Sequence, residues 1–203
     1  MDLIITEFKN RKSPDGKIKH LTWEELVEKL NHPVVTEESL DEYAAMSNEQ
    51  KTEVKDIGGY VAGEFENGKR RKELLKSRYV ITIDADEATP NDIAEFQFYD
   101  EPWMYCVHST HTSTEANPRL RWLFLLDRPV DSNEYRRLVR YISSFVGAET
   151  LDDTTDQPER LMFWPSVSWD ADYTFVSGGT VPLNVDEALA KCPEEEEKTF
   201  CKL

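Results

Sequence analysis

The sequence predicts an α+β fold in which a β-α-β-β-α-β unit follows an N-terminal α/β unit. Three observations predict it. From Tyr79 onward, apolar runs of strand length and segments of helical periodicity succeed one another in that order. Before Gly58, the chain carries a strand pattern and two helix-start signatures of its own. Finally, 203 residues, 39% of them hydrophobic and five of them Trp, suffice to bury a sizeable core.

In the N-terminal unit, Leu3–Phe8 is the first strand, and the turn-forming Ser13-Pro14-Asp15-Gly16 follows it. A helix runs from Trp23 to Leu30. Thr22 and Glu25 have the spacing of a capping box, in which each side chain accepts from the other residue's backbone N–H. Ser47 and Gln50 repeat that spacing before a polar helix. Gly58-Gly59 opens the alternating segment Tyr60–Phe65, a strand, and Asn67-Gly68 is a hairpin-type turn leading into the basic cluster Lys69, Arg70, Arg71, Lys72, Lys76 and Arg78.

In the second unit, Tyr79–Ile83 is a strand and Pro90 starts a short helix through Phe98. Trp103–Val107 and Leu120–Leu126 are strands, the latter stopped by Pro129. Ser132 caps a helix whose Tyr135, Leu138, Val139, Ile142 and Phe145 recur at helical spacing until Gly147 ends it. Leu161–Trp164 is the last strand. This order is the ferredoxin-like, RRM-like arrangement, with an expected sheet order of 4-1-3-2. After Val176 the chain reads as an appendage with a short helix, Asp186–Lys191, and an acidic end. The expected division is therefore 1–78, 79–176 and 177–203.

A net charge of −16 weighs against a nucleic-acid partner, because the phosphate backbone rewards Lys and Arg. The distribution tempers this. Acids crowd the first third and the tail, as in Glu194–Glu197, whereas the basic cluster immediately precedes an acidic strand. Without a membrane-length apolar run or the order of a signal peptide, the expectation is a cytoplasmic protein with no membrane partner. Cys106, Cys192 and Cys201 have the spacing of neither a disulfide framework nor a zinc site, and no zinc is expected.

The acidic strand, Tyr79–Asp86 (YVITIDAD), ends in two carboxylates, Asp84 and Asp86. Residues two apart on a strand share a face, with α-carbons roughly 6.5 Å from each other. Such a pair repels itself, and a divalent cation with oxygen ligands relieves the repulsion. The plain alternative is two solvated acids at a strand end. If strands 1 and 2 are parallel, however, the expected topology collects on one edge Asp84 and Asp86, then His108, Ser109 and His111, then Arg119 and Arg121, and lastly Asp152 or Asp153. Three carboxylates, a histidine and two arginines suit a metal-bound polyphosphate. Asp84, Asp86 and Asp152 would hold Mg²⁺ or Mn²⁺ in a two-metal site, and His111, Arg119 and Arg121 would meet phosphate oxygens. The other readings are a solvent-exposed loop for His111, an acidic loop for Asp152–Asp156, and zinc on His108 and His111, for which no second pair exists. Within the apolar run RLRWLFLL, Arg121 requires a partner, for which Asp127 or Asp153 are the structural choices.

These residues resemble the motifs of the archaeo-eukaryotic primase superfamily, in particular the primase-polymerase domains of phage, prophage and plasmid replication proteins, including virulence-associated E-like proteins. The motifs are a hydrophobic strand ending in Asp-x-Asp (IDAD), a small-x-His motif (Ser109-Thr110-His111) and a hydrophobic-Asp motif (Leu151-Asp152). The runs GGYVAGEFENGKRRKELLKSRYVITIDAD and LDDTTDQPERLMFWPS are similar to the phage-borne branch, and the likeness covers Gly58–Val176. The resemblance implies primer synthesis or extension from dNTPs or NTPs on single-stranded DNA, often beside a helicase domain. It implies metal ligation by Asp84, Asp86 and Asp152, with Asp153 competing for the third place. It also implies triphosphate contacts from Ser109, His111 and Arg121, with Arg70, Arg71 and Arg160 as further contacts to triphosphate or template. Two other classes compete. A non-catalytic RRM-like module would hold single-stranded nucleic acid or an origin by stacking bases on aromatics of an exposed sheet face. A rolling-circle nuclease would need two metal-binding histidines flanking a bulky residue, a spacing that His108-Ser-Thr-His111 lacks.

Overall fold

The computed structural model of the chain describes residues 2–86, 88–89, 91–98, 102–143, 145–146 and 156–192. Asp152, Asp153, Gly147 and the acidic end lie outside the described residues.

In chain order the elements are β1 (Asp2–Phe8), β2 (Lys17–Thr22), α1 (Trp23–Asn31), β3 (Val34–Thr36), α2 (Leu40–Ala45), α3 (Asn48–Lys55), β4 (Gly59–Val61), β5 (Gly63–Phe65), β6 (Leu75–Ala85), α4 (Asp92–Phe98), β7 (Tyr105–Ser109), β8 (Leu120–Val130), α5 (Ser132–Ser143), β9 (Met162–Phe163), β10 (Ser166–Ser168), β11 (Phe175–Gly178) and α6 (Val185–Lys191). The architecture is α+β, as the sequence predicts. Both expected capping boxes form: Thr22 and Glu25 start α1, and Ser47 and Gln50 start α3. A third, Ser39 with Glu42, starts α2. One expected cap is corrected. Asp131, not Ser132, caps α5, its Oδ1 accepting from the N–H groups of Asn133 and Glu134.

Five strands form the central sheet in the order β11-β7-β8-β6-β5. β8 runs antiparallel to both β6 and β7, so β6 and β7 are parallel, as the convergence of the polar residues requires. The fourth-strand position differs from expectation. β9 does not return to the edge of β6 but pairs with β4 in a second sheet, ordered β2-β1-β4-β9. The edge of β6 is already covered. β5 pairs with it at Arg78, Ser77 and Leu75, and the Tyr135 hydroxyl contacts the Thr82 N–H (3.4 Å) and carbonyl (3.3 Å) further along. With those backbone groups satisfied, no strand is needed there.

The segment expected as one strand, Tyr60–Phe65, is shared between the sheets, its first half in β4 and its second in β5. Glycines permit this. A Cβ on Gly59 would lie 2.4 Å from the Met162 carbonyl oxygen, and one on Gly63 would lie 2.3 Å from that of Ser77. Pro129 does not stop β8, which continues to Val130 beyond a register shift near Arg78.

Alternation divides the central sheet's side chains between two cores. Ile81, Ile83, Val107, Trp122 and Phe124 face α4, α5 and α6, burying Phe96, Tyr135, Leu138 and Ile142. Val80, Cys106, Leu123 and Leu125 face the other way, onto Leu3, Ile5, Tyr60 and the apolar side of α1 (Trp23, Leu26, Leu30). The stretch after Val176 belongs to the body of the protein: β11 pairs with β7, and Leu183, Val185 and Ala188 enter the first core. No described helix is long and apolar enough to cross a membrane.

Candidate active site

On the sheet face directed at the second core, the apolar residues give way to polar ones at one end. Asp84 on β6, Arg121 on β8 and His108 on β7 stand in one cross-strand row. Cross-strand neighbours on one face have β-carbons about 5 Å apart, so the row is a unit of interaction. Arg121 donates to both oxygens of Asp84, from Nε to Oδ1 (2.6 Å) and from Nη2 to Oδ2 (3.2 Å). Its remaining Nη1 donates to the Phe163 carbonyl at 3.2 Å, which ties β9 to the row. Arg160 adds an ion pair to Asp84 Oδ2 at 3.4 Å. The partner that Arg121 requires is therefore Asp84; Asp127 instead accepts from the Val185 N–H. Burial acts to raise the Asp84 pKa, but Arg121, Arg160 and His108 outweigh it and hold the carboxyl below its ordinary value.

Beyond the row, Asp86 is 63% exposed and meets Arg119 Nη1 at 3.5 Å. His108 is buried, its Nδ1 donating to the Ser109 carbonyl at 2.8 Å, while its Nε2 has no partner among the described residues. Burial first, and Arg121 second, push its pKa down to about 4, so the imidazole is neutral at pH 7.

A cleft of about 230 Å³ opens over this row, lined by Asp84, Asp86, His108, Arg119, Arg121 and Arg160 together with Lys55 and the Thr110–Thr112 turn. Past Lys55, His111 and Arg119 it joins a groove of about 750 Å³ between α2, α3 and the loop that precedes β8. The cleft alone is below the usual few hundred Å³ of a small-molecule site, and only with the groove does the space reach that range.

The other expected site residues divide. Arg160 and His111 line the cleft, whereas Ser109, Arg70 and Arg71 do not. Ser109 Oγ accepts from the Thr174 N–H, and Arg70 donates to the Arg11 carbonyl with its guanidinium over the Phe8 ring. The rest of the basic cluster also disperses: Lys76 pairs with Glu64 at 3.0 Å, and Arg78 is fully buried. His111 is no exposed loop residue. Its ring is buried against Tyr43, with Nδ1 2.8 Å from Ser166 Oγ and Nε2 3.0 Å from Glu38 Oε1. That same Glu38 oxygen accepts from Thr36 Oγ1 (2.7 Å) and Ser168 Oγ (3.1 Å). Burial lowers the His111 pKa against the pull of Glu38.

Glu38 and Lys55 were not singled out from the sequence. Each sits among ordinary polar residues of the N-terminal segment, and only the tertiary fold carries Lys55 to the cleft and Glu38 to His111 at its wall. The sheet face that an RRM-like binding module would use for stacking bases is packed against β1, β4 and α1.

Fold and cleft together define an α+β protein whose polar site is shared between a central sheet and its N-terminal cover. The chain belongs to the VapE N-terminal domain family, whose model matches residues 1–200. No curated protein matches it in sequence. Among solved structures, it is similar to the AEP domain of the cyanophage S-2L primase-polymerase, with a TM-score of 0.47 and 12% identity over 94% of this chain and 88% of that one.

Proposed function

We propose that this protein is a metal-dependent nucleotidyltransferase, a DNA primase-polymerase that makes or extends primers from nucleoside triphosphates on single-stranded DNA in phage, prophage or plasmid replication. The observation that carries the reading is the charge of the cleft. In a chain of net charge −16, the described lining holds four cations (Lys55, Arg119, Arg121, Arg160) against two carboxylates (Asp84, Asp86). A polyanion is accepted there and repelled by most of the remaining surface.

The donor chemistry fits a hard cation. Asp84 and Asp86 both line the cleft with carboxylate oxygens, and Asp86 is open to solvent. We assign Asp84 and Asp86, with Asp152, to Mg²⁺ or Mn²⁺, shared with the substrate's phosphates. When bound, the metal lowers the pKa of an attacking hydroxyl and takes up charge on the leaving pyrophosphate. The chain's own groups do the rest. Arg121 and Arg160 keep Asp84 ionised, and Arg119 sits beside Asp86 to screen phosphate oxygens. The neutral His108 leaves the row without a further positive charge.

The test is template-dependent incorporation with Mg²⁺ or Mn²⁺, with and without a labelled primer. Asp86→Ala is the informative variant, because Asp86 is exposed and its loss leaves no buried charge unpaired. Incorporation should fall on the order of 10³-fold or more, with thermal stability unchanged. Full activity in Asp86→Ala would refute the mechanism. Template binding without incorporation by the unaltered protein would assign it instead to the class of binding modules.

A further inference from the structure

We propose that Lys55, at the end of α3, binds the phosphate tail of the incoming nucleotide and is the N-terminal segment's own contribution to substrate binding. The proposal deepens the nucleotidyl-transfer reading and rests on it.

Lys55 differs from every other cation of the cleft. Arg121 and Arg160 are paired with Asp84, and Arg119 with Asp86. Among the described residues, Lys55 has no carboxylate within 4.0 Å and no hydrogen-bond partner; its ammonium stands 5.8 Å from the centroid of the Phe163 ring. It is also half-buried, at the point where cleft and groove meet. A half-buried ammonium without a counter-ion is costly unless an anion completes it. The surroundings make the same demand: burial, then the positive charges of Arg121 and Arg119, lower its pKa, and Asp86 and Asp84 only partly compensate. Lys51, one helical turn away, is already engaged, donating to the Ala44 carbonyl at 2.9 Å.

The chemistry selects phosphate. A lysine ammonium is a compact point charge that serves phosphate oxygens without the planar match a carboxylate would ask of arginine. The excess charge also fits. Four cations against two carboxylates leave the described lining net positive, which favours an anionic ligand. Because Lys55 comes from α3 and Arg119 from the approach to β8, a phosphate bound by both would join the N-terminal segment to the central sheet.

The experiment is calorimetric titration of the whole chain with Mg²⁺ and a non-hydrolysable nucleoside triphosphate, with inorganic tripolyphosphate, and with the unphosphorylated nucleoside. Lys55→Met should weaken both phosphate ligands by about tenfold or more and leave the nucleoside unaffected, the size expected for a charge-assisted contact. Lys55→Arg should restore most of the loss. In incorporation assays KM should rise more than kcat falls. Lys55→Met should unfold at the parent's temperature or above it, since the side chain has no hydrogen bond to lose and a half-buried charge is removed. A folded Lys55→Met that binds tripolyphosphate as tightly as the parent would overturn the assignment of Lys55 alone. A parent protein that binds no triphosphate at all would overturn the nucleotidyl-transfer reading and this inference with it.

Discussion

Two arginines, Arg78 and Arg121, are buried on neighbouring strands of one sheet, and they are satisfied in opposite ways. Arg78 donates to the carbonyls of Ala62, Val80 and Pro158 and to Thr82 Oγ1, and its guanidinium lies 4.2 Å from the centroid of the Tyr135 ring. Every one of these partners is neutral. Arg121 is held by a carboxylate, bidentately, at the wall of a polar cleft. Fixed carbonyl dipoles and an aromatic face can stabilise a buried cation, but they consume its donors in holding strands together. A cation paired with Asp84 instead sets the charge of the cleft that Arg121 lines. On the proposed reading, the nature of the partner, and not burial alone, separates the two arginines.

The contrast can be broken in a graded series. Arg121→Met should have the largest effect. It strands Asp84 with only the longer contact to Arg160, costing about 3–5 kcal/mol of stability, and it should also lower incorporation per folded molecule. Arg78→Met should destabilise by about 3 kcal/mol, because several buried acceptors lose their donor, while incorporation per folded molecule is retained. Denaturant unfolding alongside activity at matched folded fraction separates the two, and an equal loss of activity in both would erase the distinction.

His108 sharpens the picture through pH. Its folded pKa of about 4 lies below the ordinary 6.5, so on acidification the unfolded chain takes up the proton first. Stability should thus be complete above pH 6.5 and decline by up to about 3 kcal/mol as the pH falls toward 4. His108→Gln should remove that slope from a series of unfolding curves. The smallest effect is expected at Glu38→Gln, which keeps an acceptor for Thr36, Ser168 and His111 but loses its charge. About 1 kcal/mol of stability should be lost, as read from the unfolding midpoint.

What the sequence disclosed and what it hid follow from the range over which each signal acts. The capping boxes at Thr22 and Ser47 are local, and both form. The row of Asp84, Arg121 and His108 was legible because strand direction follows from element order, and the cost of a charge inside RLRWLFLL demanded a partner. The identity of that partner was missed because a salt bridge to the neighbouring Asp127 is the simpler local guess. The place of β9 was hidden for a different reason. Periodicity marks Leu161–Trp164 as a strand but says nothing about which edge is free, and that edge is sealed by β5 and a single tyrosine hydroxyl. Lys55 and Glu38 lacked any local peculiarity, and their significance arises only where distant segments meet.

The crossing of Gly59–Phe65 from one sheet to the other has a consequence for inheritance. Because β4 and β5 belong to different sheets yet are separated only by Ala62, neither half of the molecule possesses a complete set of strands. A piece beginning at Tyr79 would lack both β5 and the Leu75–Arg78 stretch of β6 that pairs with it, and would expose the apolar sheet face that β1, β4 and α1 bury. Recombination between related genes could exchange surface loops here freely, but a breakpoint between Gly59 and Arg78 would part residues that no foreign sequence is shaped to replace. By strand pairing, then, the two halves form one folding block.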